Sequence, residues 1–162
     1  MSTLIAPRPF TIRAAAVADL PAVCALLTST KLATNAVQAQ FGPQFAVATD
    51  DITGTIVGVA GVEVYRDVVS DIGLLRSAAV DPAWQGMGVG AALTKDRLTW
   101  AEQEQLAALF LLTETAADYW SRFGFIHIAR DAAPAALHTS HEWQQGCPAS
   151  AVAMALKLKR YR

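Results

Sequence analysis

The chain has 162 residues, 53% hydrophobic and 17% charged, with 13 Lys+Arg against 14 Asp+Glu. That length suits one domain with a sizeable core, and the composition is too apolar and too weakly charged for a disordered chain. A net charge of -1 gives no basic field for nucleic acid or an anionic membrane, two cysteines make no disulfide framework, and neither a signal-peptide pattern nor a transmembrane run is seen, so a soluble cytoplasmic protein is expected.

Phe10 to Arg13 reads as a short opening strand, and Ala18-Asp19-Leu20-Pro21 as a helix start. Asp19 is expected at the N-cap and Pro21 in the first turn, where a missing N–H costs nothing. Leu20, Val23, Cys24 and Leu27 continue at helical spacing. Lys31 to Gly42 is polar and aperiodic, suited either to lie over a site or to connect two elements. Gln44 to Thr49, Thr55 to Tyr65 and Ile72 to Val80 are strand candidates. The second is rich in β-branched residues, and the third is apolar enough to be covered on both faces. Asp81-Pro82 breaks that run.

From Gly88 to Gln105 the period becomes helical, with Val89, Ala92, Leu93 and Trp100 on one face. Leu106 to Leu112 reads as a buried strand, and Ala116 to Phe123 as a short helix stopped by Gly124. Phe125 to Ala129 follows as a strand, Pro134 to Trp143 as a short helix, and Ser150 to Leu158 as the closing strand. Strands in a meander, then alternating with helices, predict a single α/β (α+β) domain over residues 1–162. Its core is a mixed sheet of six to seven strands with helices on both faces.

The most informative segment is Trp84-Gln85-Gly86-Met87-Gly88-Val89-Gly90, between a buried strand and a helix. A helix N-terminus leaves about four N–H groups unpaired and carries roughly half a positive charge. Glycines let a ligand approach the backbone closely. Together they suit a pyrophosphate, although a tight strand-to-helix turn uses glycine for steric reasons too. A P-loop is excluded by the missing Gly-Lys-Ser/Thr ending, and a dinucleotide fold by the spacing.

Gln85-Gly86-Met87-Gly88-Val89-Gly90 resembles the Q/R-x-x-G-x-G/A acyl-CoA signature of the GNAT N-acetyltransferases. Tyr119-Trp120-Ser121-Arg122-Phe123-Gly124-Phe125 resembles the aromatic-rich element that follows it in that superfamily, and Ile12 to Pro21 its first strand and helix. A narrower resemblance lies in Leu74-Leu75-Arg76-Ser77, Arg130 to Ala136 and Cys147-Pro148-Ala149-Ser150-Ala151. These resemble the GNAT subgroup of bacterial arsenic-resistance operons, related to arsinothricin and phosphinothricin acetyltransferases.

The resemblance implies acetyl transfer from acetyl-CoA to an amine, with acetyl-CoA held by Gln85, Gly86, Met87, Gly88, Val89 and Gly90. It also implies a cleft walled by Ala78, Ala79, Val80, Thr113 and Trp120, with a backbone N–H near Ala79 and Val80 meeting the thioester oxygen. The family's thiolate-protonating tyrosine aligns with Trp120, whose indole is no useful acid, and Tyr119 sits one position earlier. Either Tyr119 substitutes or water supplies the proton, and both rings are equally suited to packing.

Strand alternation sets Val59, Gly61, Glu63 and Tyr65 on one face, making Glu63 the candidate base or a solvated charge; Glu114 is a second candidate. Arg76 interrupts an apolar run and must be paired or reach an opening, where it would suit a substrate carboxylate, phosphinate or arsinate. Ser77 is expected on the opposite side of that strand, against substrate or in simple packing. His138 is a candidate for the substrate cleft. His127, His138, His141 and Cys147 lack metal-site spacing, so no metal is expected. Lys157, Lys159, Arg160 and Arg162 form a basic end, ordinarily solvated, whose one special use would be the CoA 3′-phosphate.

The expected partner is a small-molecule amine of anionic amino-acid type; the competing readings are acetylation of another small amine or of a protein N-terminus, and an acyl-CoA-binding module with little or no turnover. Nothing in the pattern excludes a homodimer through the helices or the last strand.

Overall fold

The computed structural model describes residues 8–34, 36–146 and 150–159. Cys147, Arg160 and Arg162 lie outside them.

Seven strands form one mixed sheet in the order β1-β2-β3-β4-β5-β7-β6. They are β1 (Phe10–Ala14), β2 (Phe45–Asp50), β3 (Ile56–Arg66), β4 (Asp71–Val80), β5 (Ala108–Thr113), β6 (Ile126–Ile128) and β7 (Val152–Lys157). The first four pair antiparallel as a meander, β4 and β5 run parallel, and β7 inserts antiparallel between β5 and β6. Among the described residues three α-helices accompany them: α1 (Leu20–Ser29), α2 (Val89–Gln103) and α3 (Ala117–Ser121).

Period-two alternation sends β2 side chains to opposite layers. Phe45 and Val47 meet Val23, Leu26 and Leu27 of α1, while Ala46 and Ala48 meet Val89 and Leu93 of α2. The α2 side is built of small residues because the helix lies close. A Cβ on Gly58 would sit 2.9 Å from both the Leu93 and Val89 side chains. Farther along the sheet, α2 and α3 bury Ala101 and Trp120 against Val62, Leu75, Leu109 and Met154. The opposite face of that half is covered by short turns that place Leu137 and Trp143 over Leu74 and Phe110. β4 is therefore covered on both faces, as its apolar run requires.

Two expectations need correction. Asp19 does precede α1, but its carboxylate makes no cap there; it accepts from Ala16 N at 2.7 Å and from Arg13 Nη1 at 2.7 Å. Pro134 to Trp143 is not one helix but a 3-10 turn (Ala135–Thr139) followed by a π turn (Glu142–Gly146). Lys31 to Gly42 contains a 3-10 turn, Val37–Gln40. The Gln40 side-chain amide bonds both the N–H and the C=O of Val64, at 2.7 and 3.1 Å, and so docks this segment on β3.

Candidate active site

Parallel pairing between β4 and β5 is limited to Gly73↔Leu109 and Leu74↔Phe110. Beyond Leu74 the strands diverge, and a cleft of about 860 Å³ opens between them. Its walls are Leu75 to Val80 of β4 and Leu111 to Ala116 at the end of β5 and just beyond it, with Lys31 to Ala33 over it and Gln85, Gly90 and Thr94 at one end. Ala78, Ala79, Val80, Gln85, Gly90, Thr113 and Trp120, expected around the cofactor, all reach this cleft, as do Arg76, Ser77 and Tyr119.

Gly86 and Gly88 have φ of +81° and +87°, in the left-handed region that glycine enters freely, and a Cβ at either would meet nothing within 4 Å. Gly88 is the N-cap of α2, and no side chain caps that first turn. The loop is held from below. Asp81 Oδ1 accepts from Ala83 N at 2.8 Å, Trp84 is buried, and the Arg8 guanidinium lies 3.8 Å above the Trp84 ring. This open backbone cradle at a positive helix end fits a pyrophosphate. Met87 is half-buried and Val89 is fully buried, so Val89 serves the α2 core. Gln85 Nε2 donates to Val80 O at 3.2 Å, which ties the loop to the end of β4.

Tyr119 approaches this end from α3. A Cβ on Gly90 would lie 3.5 Å from its hydroxyl and 3.6 Å from Val80 Cγ2, so that hydroxyl stands between the start of α2 and the end of β4. It contacts Thr94 Oγ1 at 3.1 Å, while Thr94 Oγ1 donates to Gly90 O at 2.9 Å. Threonine has one hydroxyl proton, so the Tyr119 O–H is the donor to Thr94. Trp120 is buried among Leu111, Phe125 and Met154 and stacks edge-on with Tyr119 at 4.8 Å. Thr113 Oγ1 accepts from Ala116 N at 3.0 Å and so shapes the turn into α3.

Deeper in the cleft, Arg76 is held by carboxylates. Nη1 meets Glu63 Oε2 at 3.3 Å, and Nε meets Glu142 Oε2 at 3.0 Å and donates to Ser77 Oγ at 3.1 Å. Glu63 lies on the predicted face but is sealed there, its other oxygen accepting from the Tyr65 hydroxyl at 2.9 Å. It is neither a solvated charge nor a residue of the cleft wall. Burial pushes the Tyr65 phenol up to about 12, the Glu63 carboxylate adding to that shift and a bond from Ser140 opposing it.

Ser77 departs from the expected alternation because its φ is +58° and the β3–β4 register shifts between Val59 and Gly61. The resulting bulge turns its hydroxyl back onto Arg76. A non-glycine residue in this region costs on the order of 1–3 kcal/mol, and such strain gathers at functional sites.

One expectation lies elsewhere. His138 is exposed, with its ring 6.5 Å from Trp143, and does not line the cleft; Glu142, four residues on in the same turn region, takes that place. Glu114 is exposed at the cleft mouth, where it accepts from Ser150 Oγ at 3.1 Å. Thr94 and Glu142 were not singled out by sequence. A threonine four residues after Gly90, on the same face of the helix, was the available signal for the first, and a lone glutamate carried none for the second. Among the described residues no group of three or more His, Cys, Asp or Glu side chains is placed to hold a metal ion, and no helix is long and apolar enough to cross a membrane.

A glycine loop thus opens a helix beside a split between two parallel strands. Residues 42–127, more than half the chain, match the acetyltransferase (GNAT) domain, and the chain belongs to that family. It is 39% identical over 79 residues to an amino-acid acetyltransferase of Mycobacterium tuberculosis, a stretch covering 48% of this chain and 42% of that protein. A Mycobacterium tuberculosis protein solved in complex with CoA and a second ligand is 26% identical, with a TM-score of 0.74 over 92% of this chain and 99% of that one. N-acetylglutamate synthase from Neisseria gonorrhoeae, solved with coenzyme A and N-acetyl-glutamate, shares the fold: TM-score 0.75, 20% identity, 93% of this chain and 35% of that one.

Proposed function

We propose that this chain transfers the acetyl group of acetyl-CoA to the amine of a small amino-acid-like acceptor. The observation that carries this reading is the convergence of Gln85 and Gly90, which flank the Gly86–Gly88 cradle, the free end of β4 and Tyr119 on one cleft. When bound, acetyl-CoA supplies an activated thioester carbonyl. The cradle N–H groups hold its pyrophosphate, and the backbone at Ala79 and Val80, where β4 no longer pairs with β5, donates to the carbonyl oxygen. The neutral amine of the acceptor forms the new N–C bond as the C–S bond breaks, and the electron pair leaves with sulfur. Tyr119 gives its proton to that sulfur after its O–H turns away from Thr94. The proton that the acceptor's ammonium loses on becoming a neutral amine passes to water at the cleft mouth, where Glu114 also stands and from which Glu63 is sealed. The second proton, shed by nitrogen as the amide forms, returns through water to the Tyr119 phenolate. Most of the rate then comes from positioning and the backbone donor.

The acceptor in this reading is an amino acid bearing an anionic group, and organoarsenical and phosphinic analogues of glutamate are the sharpest candidates. Support comes from Arg76 on the cleft wall, from the motifs around Arg76, Arg130 and Ser150, and from the amino-acid acetyltransferase among the relatives. The test is release of free thiol from acetyl-CoA across a panel of amines, anionic amino acids first. Turnover with an anionic amino acid above the hydrolytic background supports the reading. Binding of acetyl-CoA with no turnover on any amine would favour an acyl-CoA-binding module instead.

A further inference from the structure

We infer that Glu142 sets the affinity for the acceptor by occupying, in the absence of acceptor, the place on Arg76 that the acceptor's anionic group takes. This deepens the acceptor reading above and rests on it. Arg76 sits between two carboxylates of different standing. The Arg76 and Glu63 side chains are 1% and 4% exposed, and Glu63 is pinned by Tyr65 as well. Glu142 is 15% exposed, lines the cleft and comes from a π turn outside the sheet. It is therefore the one carboxylate of the two with a path to water.

Exchange of Glu142 for an acceptor carboxylate keeps a carboxylate on Arg76 beside Glu63. The guanidinium is not stripped of that counter-ion, which is the condition under which a buried ion pair opens at low cost. An uncharged acceptor gains nothing from Arg76, so Arg76 favours an anionic acceptor, and Glu142 lowers that acceptor's affinity because it must be displaced. A carboxylate that merely received the acceptor's ammonium group would behave in the opposite way.

The experiment is calorimetric titration of L-glutamate into the natural chain, Glu142→Gln and Glu142→Asp, each with CoA present, and with thermal unfolding of each as a fold control. Removing a charged competitor for a guanidinium is worth about fivefold to tenfold in affinity. Glu142→Gln should bind L-glutamate tighter by that factor, and Glu142→Asp, which keeps the charge, should stay close to the natural chain. Weaker binding by Glu142→Gln, unchanged binding, or no binding by either protein would overturn the inference. Acetyl-CoA is titrated into the same preparations. Its failure to bind would sink the acetyltransferase reading, whatever L-glutamate does.

Discussion

Tyr119→Phe removes one oxygen and leaves the packing in place. The ring keeps its neighbours Trp120 and Phe123, at centroid distances of 4.8 and 5.2 Å, and loses only the bond to Thr94. If the hydroxyl served structure alone, the cost would be one neutral hydrogen bond, about 1 kcal/mol of stability, with turnover within about threefold of the natural chain. A positioned acid contributes roughly 10²–10⁴ in rate, about 3–5 kcal/mol of barrier. Because a thiolate departs readily, the lower end applies, and a fall in kcat of about 100-fold is expected, with the KM for acetyl-CoA changed less than about threefold. Thiol release at saturating concentrations of both substrates measures this. Thr94→Ser should match the natural chain, and Thr94→Val should shift kcat by less than about tenfold, because it removes an acceptor worth roughly 1 kcal/mol and not the proton. A kcat for Tyr119→Phe within about threefold of the natural value would refute the reasoning and assign the proton to water.

Three further outcomes follow from the packing. Glu63→Gln leaves the buried Arg76 with a weaker partner and should cost about 3 kcal/mol in chemical denaturation, near the lower end for breaking a buried pair because Glu142 remains; a loss below about 1 kcal/mol would contradict the burial account. Tyr65, with its folded pKa raised to about 12, keeps its proton where the unfolded chain loses it. Stability from this group is complete below about pH 10 and falls away as pH rises towards 12, so Tyr65→Phe should flatten that alkaline loss in unfolding curves taken across the range. Gly61→Ala would place a Cβ 2.3 Å from the Phe45 ring and should destabilise by about 1–3 kcal/mol, read by thermal unfolding.

Much of the fold was legible because its elements follow their periods. The strand over Ile72 to Val80 was found as Asp71–Val80, and the helix after the glycine loop as Val89–Gln103. The insertion of β7 between β5 and β6 was not legible, since local pattern says which segments are strands and not which edges they choose. The glycine cradle could be read because a backbone site must be written in glycine. The Arg76 cluster was only half legible. Alternation put Glu63 on the correct face, but its burial depends on Tyr65 beside it and Arg76 on the next strand, a tertiary fact. Ser77 was placed on the wrong side because a single left-handed residue breaks period two, and serine gives no warning of it. Glu142 reaches the cleft through two short turns whose shape is set by packing of Leu137 and Trp143, beyond any helical period.

The central claim, that the turn at Gly86 to Gly90 holds the pyrophosphate of acetyl-CoA, is tested most directly by calorimetric titration of acetyl-CoA into the natural chain, Gly88→Asp and Gly88→Asn. Asp and Asn enter the left-handed region more readily than other side chains and are good N-caps, so both variants should fold, as thermal unfolding will verify. Asp places a carboxylate where the phosphates sit, and Asn the same shape without the charge. Binding by the natural chain, a loss of about 100-fold or more for Gly88→Asp and a smaller loss for Gly88→Asn is the predicted result. No binding by the natural chain, or equal binding by the folded Asp variant, would contradict the account.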